Sequence, residues 1–190
     1  MANRPRRAAP AARQGGTPHD TDRTTRAHRA VASRGRGVRP VLTRTYRGSI
    51  DDVWASVTEP ERTARWFGPW RGEAAPGRTI EVRMAFEAEA PWCALRIDAC
   101  EPPRRLAVSM DDESGAWPVE LLLDETGDGA TTRRLVHHRP SAEGIGEIGP
   151  GWEYYLGLLI TSREDGATAW DFDAYHPAQK AYDEGLAPTP

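Results

Sequence analysis

The side chains of this 190-residue sequence whose types and spacing could support chemistry are few: adjacent His137 and His138, Cys93 and Cys100, and the glycine run Gly144, Gly146 and Gly149. The histidines fall in a β-prone run. Neighbours on a strand point to opposite faces, so this pair cannot share a metal ion. At most one faces an interior. Alternation does not choose between them, and each reads either as a satisfied strand histidine or as a polar contact to a ligand. The cysteines lie seven residues apart in what reads as one strand. At ~3.3 Å per residue that is roughly 23 Å, beyond the ~7 Å a disulfide can span. With no His or Asp at zinc-like spacing beside them, they read as small buried hydrophobes. The glycines match G-x-G-x-x-G ahead of a helix, but dinucleotide binding also needs a following parallel strand ending in an acid about 20 residues on. Neither is present, which leaves a flexible loop that lets the next helix move over a cavity mouth. No Ser-His-Asp set, P-loop, G-x-S-x-G element or metal-spaced cluster occurs. The expectation is no catalytic residue, no metal and no cofactor.

Such sparse chemistry directs attention to what the chain can bury. Hydrophobic residues make up 38% and charged residues 28%, which suits one core plus extra segments. No apolar run approaches the roughly 20 residues of a membrane span, and the N-terminus lacks a secretory apolar stretch. A cytoplasmic location is expected. The net charge of −3 hides an asymmetry: residues 1–40 hold ten arginines against Asp20 and Asp22, while the remainder holds 15 basic and 26 acidic residues. An acidic folded part argues against nucleic acid as a partner, except through the basic arm. Lys180 is the sole lysine, a bias of GC-rich bacterial genomes.

Residues 1–38 contain almost no large apolar side chain and are expected to form a disordered basic arm. Order begins at Val41-Leu42-Thr43-Arg44-Thr45-Tyr46, an alternating strand that breaks at Gly48. Ser49 then caps a helix with Asp52 in its first turn and Ile50, Val53, Trp54 and Val57 on one face. Glu59-Pro60-Glu61 ends it and starts a short second helix. From Trp70 to Arg139 the period is two. Ile80, Val82, Met84 and Phe86 share an apolar face, and further strands follow at Trp92–Cys100, Leu106–Met110, Trp117–Asp124 and Thr131–His138, joined by short turns as an antiparallel meander. Arg96, mid-strand, takes either the wet face or a cavity position facing an acidic ligand. A final helix starts near Gly151 with Trp152, Tyr155, Leu156 and Leu159 inward. Residues 165–190 are expected to pack in part over the domain, which spans 39–164.

The order of these elements, with Tyr46-Arg47-Gly48-Ser49-Ile50-Asp51-Asp52-Val53-Trp54, Thr58-Glu59-Pro60-Glu61, Arg65-Trp66-Phe67-Gly68-Pro69-Trp70 and Gly149-Pro150-Gly151-Trp152-Glu153-Tyr154-Tyr155, resembles the SRPBCC (START/Bet v 1-like) superfamily. Within it the chain is similar to homologues of the activator of heat-shock-protein-90 ATPase. The resemblance covers residues 41 to about 160. It implies an α+β helix-grip fold, a curved antiparallel sheet in the order β-α-α-β6-α wrapped around a long C-terminal helix. It also implies a cavity between sheet and helix for an apolar molecule. Large apolar residues whose periodicities point at that gap are the candidate ligand-binding set: Trp66, Met84, Phe86, Met110, Trp152, Tyr155, Leu156 and Leu159, with His137 as a polar member. Each is equally an ordinary core residue. The expected function is a binding module for a small hydrophobic ligand. A cavity enzyme of the aromatase/cyclase or hydrolase kind is the alternative, and a chaperone-modulating role with a protein partner is a third.

Overall fold

A computed structural model describes residues 27–34, 37–87, 89–112, 115–127, 129–140 and 145–163. Among them eight strands form one antiparallel sheet. They are β1 (Ala27–Arg34), β2 (Gly37–Arg47), β3 (Trp70–Arg71), β4 (Thr79–Arg83), β5 (Trp92–Glu101), β6 (Arg105–Asp112), β7 (Gly115–Thr126) and β8 (Ala130–His137). The order across the sheet is β1-β2-β8-β7-β6-β5-β4-β3. The meander β3–β8 therefore turns back so that its last strand pairs with β2, Leu42 opposite Leu135 and Tyr46 opposite Thr131. Helices α1 (Ile50–Thr58) and α2 (Pro60–Thr63) interrupt the chain between β2 and β3, and α3 (Ile145–Arg163) closes the interior along β2. This is the expected helix-grip architecture with one strand added at its start.

That added strand corrects the expected arm. Ala27–Arg34 lies inside the stretch read as disordered, yet pairs with β2 from Ala27 opposite Arg44 to Arg34 opposite Gly37. An edge strand draws on main-chain hydrogen bonds, so a segment too polar for a core can still be ordered. Residues 1–26 and the tail from 164 lie outside the described residues, as do the expectations placed on them.

Local sequence explains the helices. The Ser49 side chain accepts a hydrogen bond from the Asp52 backbone N–H at 3.3 Å, and Ile50, Val53, Ser56 and Val57 form the buried face of α1. Trp54, expected inward, is half-buried at the edge of that face. Gly68 follows α2 at φ 151°, where a Cβ would sit 1.8 Å from the Arg83 carbonyl oxygen. Only glycine allows this segment to press against β4. The Trp66 indole N–H donates to the Ser56 carbonyl at 2.9 Å and that of Trp70 to the Thr58 carbonyl at 3.1 Å. The two indoles thus satisfy carbonyls at the C-terminal end of α1 that have no partner within the helix.

Two boundaries differ from the sequence reading. α3 starts at Ile145, six residues before the expected position, and carries Gly146, Gly149 and Pro150 within it. The loop expected over these glycines is therefore helical, apart from Gly144, which lies outside the described residues. Ile148, Gly149 and Pro150 are buried, and tertiary burial overrides a poor local propensity. β4 ends at Arg83, so Met84 and Phe86, expected on its apolar face, sit in the turn that follows.

Candidate ligand cavity

The interior contains a large apolar cluster, built on Leu42, Val53, Leu123, Leu135, Leu156 and Leu159, and a smaller one of Ile80, Val82 and Ile97. Where the walls of the two face each other, a cavity of about 150 Å³ opens. Its floor is the sheet: Ile80 and Val82 from β4, Leu95, Ile97 and Cys100 from β5, Leu106 and Val108 from β6, Val119 and Leu121 from β7, and Leu135 from β8. Its roof is Val57 and Thr58 of α1, Thr63 of α2, and Trp66, Phe67, Trp70 and Ala74 beyond it, with Trp152 from α3. The cavity thus lies mainly beneath the two short helices. The sequence reading had placed it under the long one.

Polar atoms on this wall are already bonded. Thr58 Oγ1 donates to the Trp54 carbonyl at 2.8 Å and Thr63 Oγ1 to the Pro60 carbonyl at 3.1 Å. The Trp66 and Trp70 indoles bond α1, and the Trp152 indole N–H donates to His137 Nδ1 at 3.2 Å. Cys100 brings a thiol whose pKa burial pushes up, away from the reactive thiolate. Among the described residues no cluster of His, Cys, Asp and Glu could hold a metal ion.

Of the nine candidates, Trp66 and Trp152 line this cavity. Tyr155, Leu156 and Leu159 belong to the buried core on the inner face of α3, and Met84 and Phe86 pack at its margin. Tyr155 donates its hydroxyl to Glu87 at 2.5 Å, and burial followed by this bond raises its pKa. Met110, on β6 opposite Trp117, is half-buried and lies off the cavity. His137 is fully buried while His138 is half-buried on the other face and pairs with Glu120 at 2.8 Å. His137 holds Trp152, and its ring lies 5.0 Å from that of Trp117. Arg96 is exposed and pairs with Asp98 at 3.2 Å, which settles it on the wet face.

Sequence reasoning missed the floor. Leu95, Ile97, Val119, Leu121 and Leu135 were legible as inward by alternation but were passed over for larger side chains. Cys100 was not legible. A bulge between Ile97 and Ala99 shifts the register of β5, so Ile97 and Cys100, three residues apart, face the same cavity.

A second layer of the interior is polar. Arg44 on β2 lies directly opposite Arg133 on β8, both are buried, and Arg44 forms an ion pair with buried Glu153 of α3. Near the end of α3, Asp52, Ser56, Arg62, Arg65, Ser162 and Arg163 line a polar cleft of about 330 Å³. There Arg163 binds Asp52 at 2.8 Å and Ser56 at 2.6 Å. Hydrogen bonding from Arg62, then from Arg163, holds the Asp52 carboxyl below its ordinary value.

Comparison with known proteins supports the fold. The crystal structure of CalU16 from Micromonospora echinospora superposes with a TM-score of 0.69 at 25% identity, covering 86% of this chain and 98% of that one. A protein encoded by BPP1335 of Bordetella parapertussis gives 0.63 at 22% identity, over 80% of this chain and 86% of that one. DynU16, from the dynemicin biosynthetic locus, gives 0.58 at 22% identity, over 73% and 51%. No curated protein matches the sequence. Residues 47–161 match the family described as activator of Hsp90 ATPase homolog 1-like protein. That span contains α1, α2, the meander and nearly all of α3, and the chain therefore belongs to this family.

Proposed function

We propose that the chain is a binding module that holds a small apolar molecule, about one ring in size, in the cavity beneath α1 and α2. The observation that carries this reading is a 150 Å³ space walled by aliphatic and aromatic side chains whose hydroxyl and indole groups are all engaged elsewhere. A dry apolar cavity of about 150 Å³ accepts a benzene-sized guest, whereas pockets for drug-sized ligands start near 300 Å³. Turnover would need a group able to move a proton or attack a substrate, and among the described residues the only titratable side chain on the wall is Cys100. A cytoplasmic setting and a small-molecule partner are part of this reading; a protein partner is its alternative.

The test is a cavity-filling variant. Val108 lines the cavity from β6, so the added atoms in Val108→Phe occupy open space, and stability should change by less than about 1.5 kcal/mol. Millimolar indole or toluene is expected to raise the melting temperature of the parent protein, as any ligand of the native state does. The same additions should leave Val108→Phe unmoved. Equal shifts in both proteins, or none in the parent, would remove the cavity as a ligand site.

A further inference from the structure

Arg133 has no place in the cavity or in the ion pairs described above. It projects from β8 into the interior and is fully buried, and among the described residues its Nε, Nη1 and Nη2 atoms all lack a hydrogen-bond partner. A guanidinium keeps its charge inside a protein. A buried cation without a partner is among the least favourable groups a fold can contain. Arg44, directly opposite, already takes Glu153, so two buried arginines share one buried carboxylate, and Arg163 is tied to Asp52. The ring of Tyr46 lies between cations, 5.2 Å from the Arg133 Cζ and 5.6 Å from that of Arg163. This contact offsets only part of the charge. The Tyr46 hydroxyl is also buried without a partner among the described residues. The group is thus an excess of donors on one side of the interior with a missing acceptor of single negative charge.

A carboxylate meets that description, because its two oxygens match the planar fork of a guanidinium. Arg133 is not itself on the cavity wall but lies one inward position along β8 from it. Leu135, the next inward residue on β8, lines the apolar cavity, and inward positions on a strand repeat about every 6.6 Å. A ring in the cavity bearing an acid on a chain of two or three atoms would bridge the two.

We propose that Arg133 and the Tyr46 hydroxyl receive the carboxylate of the molecule held in the cavity, which makes the ligand a small apolar acid. This rests on the reading of the cavity as a ligand site. The Arg44–Glu153 pair keeps the second arginine engaged and directs the acid to Arg133.

Isothermal titration calorimetry of the full chain at pH 7 with 3-phenylpropionate and with its neutral counterpart 3-phenylpropanol tests both statements separately. The parent protein is expected to bind the acid about tenfold or more tightly than the alcohol, as for hydrogen bonds to a charged partner. Arg133→Met should lose that preference while holding the alcohol with an affinity within about threefold of the parent's, since the apolar wall is untouched. Tyr46→Phe should weaken the acid alone. If Arg133→Met does not fold, Arg133→Gln and Tyr46→Phe carry the titrations, and an acid preference that survives both overturns the proposal. Equal binding of acid and alcohol by the parent overturns it while leaving the cavity reading intact, and would leave enclosed water as the partner of Arg133. Binding of neither overturns both.

Discussion

Glu153→Ala is expected to destabilise the protein by about 3–5 kcal/mol, because it removes one partner of a buried ion pair and leaves the other charged in the interior. The context makes a value near the upper end the expected one. Arg44 would face Arg133 directly across the β2–β8 ladder with no carboxylate between them, and like charges in a weakly screened interior repel strongly. In urea the midpoint should fall by more than about 1 M for a slope of 1–3 kcal/mol per molar. The double replacement Arg44→Met with Glu153→Leu removes both charges and should recover most of the loss, since exchanging a buried pair for apolar residues of similar volume is often neutral. The coupling between the two sites should therefore exceed about 2 kcal/mol. A loss below about 1 kcal/mol in the single variant would show that water screens this layer. By contrast the pair of Arg62 with Asp52 is exposed, and breaking it should change stability by no more than about 1 kcal/mol.

Much of the fold was readable because its signals are local. The cap at Ser49, the Glu-Pro break at residue 60, the alternation of β4 to β8 and the apolar stripe of α3 each follow from side chains within a few positions of one another. β1 was unreadable for a definite reason: its order comes from main-chain pairing with β2, which leaves no trace in the apolar pattern of its own residues. The first turns of α3 were hidden by residues of poor helix propensity, of which Gly149 and Pro150 are buried and held helical by their packing. For the cavity, two of nine expected residues line it. The expectation weighted size, and large aromatic and aliphatic side chains fill a core, whereas the residues that leave a space are the middle-sized Val57, Val108, Val119 and Leu121 around it. Neither the bulge at Ile97 nor the burial of two arginines could be inferred from alternation alone. Inward parity places Arg44 with Leu42 and Tyr46, and alternation by itself does not mark that arginine as buried.

The second large effect is expected with pH and belongs to His137. Burial, followed by the nearby positive charges of Arg139 and His138, lowers its pKa from 6.5 to about 4. A histidine in the unfolded chain titrates near 6.5, so below that pH the unfolded chain takes up a proton that the folded chain refuses. Stability is therefore complete above pH 6.5, falls as the pH drops from 6.5 towards 4, and levels off beneath. The gap corresponds to about 3 kcal/mol, of which roughly 2.5 kcal/mol is lost by pH 4.5. The carboxylates whose pKa values are lowered in the folded protein act elsewhere on the scale. Asp52 and Glu120 start from ordinary values of 3.8 and 4.5, and their stabilisation is lost only as the pH falls below those values. Burial alone would raise Glu120, but hydrogen bonds from Arg105 and His138 outweigh it. Between pH 6.5 and 4.5 the slope thus reports mainly on His137. Urea midpoints of the parent at pH 7.0, 5.5 and 4.5 should fall in sequence, while those of His137→Leu should stay nearly level down to 4.5. The bond from Trp152 adds a link to the cavity. Nδ1 of His137 accepts that indole proton at 3.2 Å and can do so only while unprotonated. Proton uptake would turn the acceptor into a donor and release a residue of the cavity wall. Indole binding by the parent should accordingly hold through the range in which stability declines and weaken only as the pH approaches 4, where folded His137 takes up its proton, and parallel stability slopes for parent and His137→Leu would assign the acid sensitivity to other groups.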